Sequence, residues 1–85
     1  MKTIIINCSP TDFFTLTVSE NGVVQEPIKQ ITLDKIQEVA YSLLNTDSKI
    51  YLVGSQTYTT KIKNYLKEYI LTKNSAFENV EIILL

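Results

Sequence analysis

"IIINCSPTDFFTLTVSENG", residues 4–22, decides the fold. Thr3–Cys8 is apolar at its centre on consecutive residues, the pattern of a strand buried on both faces. Ser9-Pro10-Thr11-Asp12 predicts a turn, with proline fixing φ and the Ser and Asp side chains able to bond nearby backbone. Phe13–Ser19 then alternates, with Phe14, Leu16 and Val18 on one side and Phe13, Thr15 and Thr17 on the other. Asn21-Gly22 is a strong hairpin signal, because both residues tolerate positive φ. An antiparallel hairpin built on a buried first strand therefore opens the chain.

Working outward, Val23–Ile31 continues as a third strand, and Pro27 inside it places that strand at a sheet edge. Thr32 can cap a helix to about Leu44, with Leu33, Ile36, Val39, Ala40, Leu43 and Leu44 on one face. Ile50–Val53 is a short apolar strand that ends at Gly54. A second helix runs from Ser55 or Thr57 to about Thr72, its core stripe being Tyr58, Ile62, Tyr65, Leu66, Tyr69 and Ile70. Val80–Leu85 is a last strand. The order β-β-β-α-β-α-β predicts an α/β fold: a five-stranded mixed sheet, order 3-2-1-4-5. Successive crossovers of one hand place two helices on one face.

The 85 residues form one domain, 1–85, with no repeat or linker. A chain of this size buries only about 60–65% of the surface its unfolded form exposes. Net charge is −1, so no global field draws the chain to nucleic acid or anionic lipid. Three Lys stand against six acids in residues 1–48, and five Lys against three acids in residues 49–85. There is no His, no Arg and no Trp. The commonest general base and metal ligand is thus missing, as are bidentate phosphate clamps. The single Cys8 precludes an internal disulfide and suits a reducing compartment. No apolar run approaches the roughly 18 residues that span a bilayer, and the N-terminus lacks signal-peptide character. The expectation is a cytoplasmic protein without membrane contact.

The element order resembles the core of the ribonuclease H-like fold superfamily, which includes ribonuclease H and the repeated half of the actin-like ATPases. Two local stretches add to it: "IIINCSPTDFFTLTVSENGVV" is similar to the first hairpin of an actin-like half, and "IYLVGSQTY" to the fourth strand leading into its helix. The resemblance implies a two-metal site built from carboxylates on the first strand, the first helix and the end of the fourth strand. Asn7 stands at the first of these places and Gly54-Ser55 at the third. Glu38 is the only candidate on the first helix, and it lies opposite the apolar stripe. Asp12 alone makes no site. The actin-like phosphate turn would need glycine, whereas "NCSPT" has none, and Pro10 removes one N–H. The resemblance is to a degenerate member without its catalytic carboxylates, so no enzyme, metal or cofactor is expected. Asn7 is read as a structural amide bonding loop backbone, and Cys8 as a small buried residue rather than a nucleophile.

What remains is the sheet. One face carries Ile4, Ile6, Leu52, Ile82 and Leu84, the other Ile5, Tyr51, Val53, Ile83 and Leu85, and two helices can cover only one. The expectation is a small protein–protein interaction module with Ile5, Tyr51, Val53, Ile83 and Leu85 in its interface, a homodimer or bound to another protein. Such a stripped stand-alone domain would suit a phage or mobile-element accessory or inhibitor protein. The alternative is a nucleic-acid-binding relative using Lys61, Lys63, Lys67 and Lys73 on the second helix.

Overall fold

The computed structural model describes residues 1–8 and 13–85. The expected turn over residues 9–12 lies outside them. Strands β1 (Lys2–Asn7), β2 (Phe13–Glu20), β3 (Val23–Val24) and β4 (Ile28–Thr32) precede helix α1 (Leu33–Leu43). Strand β5 (Lys49–Val53), helix α2 (Gln56–Lys73), a 3₁₀ turn (Ser75–Phe77) and strand β6 (Glu81–Leu84) complete the chain. The protein is α/β, with a mixed sheet ordered β3-β2-β1-β5-β6 and β4 also bonded to β2. β1 runs antiparallel to β2 and parallel to β5, and β5 runs parallel to β6.

The predicted single third strand is in fact two. Both β3 and β4 pair with β2, and Pro27 lies in the segment between them rather than inside a strand. Strand β3 ends at Val24 and pairing restarts only at Ile28, one residue past the proline, which cannot donate to a ladder. A further irregularity follows: Phe14 pairs with Ile31 and Leu16 with Ile28, so two steps on β2 match three on β4. The extra residue is a bulge, and Gln30 takes it up at φ +59°.

Burial separates the two faces of the sheet. Ile4, Ile6, Phe14, Leu16, Ile50, Leu52 and Ile82 form one core with Ile36 and Ala40 of α1 and Ile62, Leu66 and Ile70 of α2. Both helices therefore cover the same face. α1 keeps its expected Ile36–Ala40 stripe, but Leu33 is exposed at the first turn. On α2 the stripe is rotated from the predicted one. Buried Thr59 heads it, while Tyr58 and Tyr69 sit half-buried on its flank and Tyr65 is exposed. Thr59 tolerates full burial because its hydroxyl donates within the helix, to Ser55 O at 3.0 Å and Gln56 O at 3.3 Å. The flanking tyrosines join the helices: Tyr41 meets Tyr69 edge-on at 6.0 Å, and Gln37 Nε2 donates to Tyr65 O at 2.9 Å.

The β2–β3 hairpin closes through Asn21 at φ +53° and Gly22 at φ +83°, both left-handed as a type I′ turn requires. No neighbouring atom lies within 4 Å of where a Gly22 Cβ would sit, so a substitution there meets backbone strain alone. Gly22→Val should therefore cost about 1–3 kcal/mol, a large share of a small domain's margin. Thermal or urea unfolding measures it, and an unchanged midpoint would contradict the turn.

Candidate functional site

The end of β1 and the end of β5 are where the resemblance would place metal-binding carboxylates. Here the two strand ends are zipped together. Cys8 N–H donates to Val53 O at 2.7 Å, which extends the parallel ladder beyond Asn7. Gly54 follows at φ +152°, and a Cβ on it would lie 2.6 Å from the Cys8 carbonyl oxygen. Backbone thus occupies the space a side chain would need, so position 54 can carry no carboxylate. Asn7 is exposed, with Thr15 and Val53 as its cross-strand partners. The loop backbone it was expected to bond belongs to residues 9–12, outside the described chain, as do Asp12 and the "SPT" hydroxyls. Glu38 is solvent-exposed on α1 and pairs loosely with Lys35 at 3.9 Å. No group of three or more His, Cys, Asp or Glu that could hold a metal occurs among the described residues.

Cys8 is buried, its Sγ 3.7 Å from Ile6 O. Burial pushes the thiol up to about 11, outweighing the backbone contact with Val53 that pulls it down. The thiolate needed by a nucleophile is therefore suppressed near neutral pH.

The four lysines of α2 do not share one face. At about 100° per residue, Lys63 and Lys67 stand one turn apart, and Lys61 projects from the other side of the helix. Lys63 and Lys67 flank β6, lining a groove with Val80, Glu81, Ile82 and Ile83. Lys73 lies over the Tyr69 ring at 5.3 Å. The continuous basic strip that the nucleic-acid alternative needs is not assembled.

The expected interface residues do come together. Ile5 is the register partner of both Thr17 and Tyr51, and Tyr51 of Ile83, giving one row across the face opposite the helices. Val53 stands in the next row beside Asn7, and Leu85 follows Ile83. Ile5 and Val53 are each 37% exposed and Leu85 69%, with Tyr51 and Ile83 half-buried. A polar row of Ser19, Thr3, Lys49 and Glu81 borders the patch. Sequence reasoning finds this set by strand alternation. It misses the Gly54–Cys8 contact and the groove beside β6, since both depend on which strands become neighbours.

Comparison of the chain with protein-family models, curated protein sequences and solved structures found no match. No helix among the described residues is long and apolar enough to cross a membrane.

Two outcomes follow. Gly54→Ala should cost about 2–4 kcal/mol in denaturant unfolding, because it combines a backbone clash with a strained φ; an effect within experimental error would disprove the close approach. Cys8 should resist alkylation by iodoacetamide at pH 8 and react once denaturant unfolds the chain. Because the folded thiol pKa is raised from 9.0 to about 11, its share of stability is complete below pH 9. That share falls as pH rises from 9 toward 11. Equally fast labelling of folded and unfolded protein would show that the thiol is accessible.

Proposed function

We propose that this chain is a small non-catalytic protein–protein interaction module of ribonuclease H-like architecture, working through the face of the sheet that its helices leave open. The architecture rests on the strand order β3-β2-β1-β5-β6 and on two successive parallel connections through α1 and α2. The observation that carries the function is the apolar row Ile5–Tyr51–Ile83 with Val53 and Leu85 beside it, on a face where no described element packs.

The occupant is a second copy. The bordering row supplies self-complementary charge, Lys49 and Glu81 being register partners, and a two-fold axis can set each against its opposite in the other protomer. Five large apolar side chains offer a few hundred Å², the scale of functional patches on monomers. At roughly 25 cal/mol per Å² their burial contributes several kcal/mol before association costs. The patch is smaller than the roughly 800 Å² per partner of a standard stable interface, so a dissociation constant on the order of micromolar is expected. The threonine and serine rim would then carry hydrogen bonds and water.

Light scattering over a dilution series should show a dimer that dissociates. Val53→Glu should leave a monomer with an unchanged fold, since Val53 lies outside the core and surface changes usually stay within about 0.5 kcal/mol. A monomeric mass of the natural chain at all concentrations up to about 100 μM would overturn the reading.

A further inference from the structure

The two edges of the sheet are built differently. On one side β3 and β4 lie against β2, with Pro27 between them and the Gln30 bulge and Lys29 within β4. Proline, bulges and lysine all discourage addition of a further strand. On the other side β6 has none of these, and among the described strands it pairs with β5 alone. Backbone groups on a strand turn alternately to its two sides. Leu85 N–H donates to Leu52 O at 3.0 Å, so Ile82 and Leu84 turn their N–H and C=O groups toward the open edge. An incoming strand would find donors and acceptors already in place.

The groove between α2 and β6 runs along this edge. Lys63 and Lys67 stand over it one helical turn apart, and neither forms an ion pair within 4.0 Å among the described residues. Glu81 also lines the groove, but it is the register partner of Lys49, alternates with core-facing Ile82, and forms no ion pair with either lysine within 4.0 Å. Glu78 lines the adjoining hollow with Lys67 but does not pair with it. The helix side of the edge therefore presents two unpaired ammonium groups, and the other side presents Ile83 and Leu85. We infer that the β6 edge takes up an extended segment of a partner protein in which acidic residues, facing α2, alternate with apolar residues that continue the Ile83–Leu85 row. A second copy of β6 is a poorer occupant: two-fold pairing would carry each Lys63–Lys67 pair toward its own image, placing like charges together. The site adjoins the self-association patch proposed above at Ile83 and Leu85, yet it is centred on the β6 edge and stands without that association.

The test uses the full chain and a short labelled peptide of alternating glutamate and valine. Fluorescence anisotropy should show salt-sensitive binding, and ¹⁵N amide shifts should concentrate on Ile82, Leu84, Lys63 and Lys67. A peptide with lysine in place of glutamate should not bind. Lys63→Glu combined with Lys67→Glu should weaken binding about tenfold or more. Leu84→Pro removes an edge donor without taking a ladder bond from β5, and should abolish binding while β1, β2 and β5 keep their amide dispersion. Should Leu84→Pro unfold the chain, the double charge reversal decides alone. Undiminished binding by either folded variant overturns the proposal. So does a set of shifts centred on Ile5 and Tyr51, the absence of binding at millimolar peptide, or displacement of the peptide by a single-stranded oligonucleotide.

Discussion

β1 is bonded along both sides, and the rest of the molecule is arranged around that fact. Thr3–Asn7 pair antiparallel with β2 and parallel with β5. Antiparallel pairing needs only the short link to β2, whereas parallel pairing with β5 needs a crossover long enough to return the chain to the same end of the sheet. α1 supplies it, and α2 does the same between β5 and β6. Each crossover helix must bury an apolar stripe, and both do so on one face of the sheet, in a single core with Ile4, Ile6 and their cross-strand neighbours Ile50 and Leu52. The inner core is therefore a consequence of the pairing of β1. So is the open face, because two helices of this size cover one side of the sheet.

The partition of the sheet has an energetic side. A short chain spends most of its apolar surface on one core, and little is left to form a second layer. The outer face nonetheless keeps isoleucine, tyrosine and valine on the central strands, while the flanking β2 presents Thr15, Thr17 and Ser19 there after an exposed Phe13 at its start. Ile5, Tyr51 and Val53 stand on β1 and β5, where neighbouring strands on both sides hold them rigid, which lowers the entropic cost of using them as a contact surface.

Much of this is legible in the sequence, for physical reasons that differ by element. The unbroken "IIIN" run, the Asn21-Gly22 turn and the α1 positions Ile36 and Ala40 are local signals, and local signals survive folding. The two faces of the sheet follow from alternation, which by itself groups Ile5, Tyr51, Val53, Ile83 and Leu85 on one side. The division of the third strand is not legible: Pro27 is tolerated at an edge, and the bulge falls on Gln30, which carries no signature for positive φ. The α2 stripe is misread because tyrosine is apolar enough to pass for core. The burial of Thr59 is permitted by a hydroxyl bond to its own helix that composition does not reveal. Gly54 is visible as a strand end, yet its need for the space beside Cys8 depends on β1 and β5 being neighbours.

That last contact also bears on where chemistry can occur. In open α/β sheets, ligands enter a crevice outside the carboxyl ends of the strands, at the point where neighbouring strands part in direction. β1 is such a point here, with an antiparallel neighbour on one side and a parallel one on the other. A crevice needs the two strand ends to diverge. Instead the ladder continues through the Cys8–Val53 bond, and the backbone of Gly54 closes on the Cys8 carbonyl. A glycine at that spot lets two backbones meet where a larger residue would hold them apart. Gly54 at the end of β5 thus leaves no space for a side chain between the two strand ends. The proposed contacts with another protein use the uncovered face and the undefended edge of the sheet instead, and neither needs a crevice.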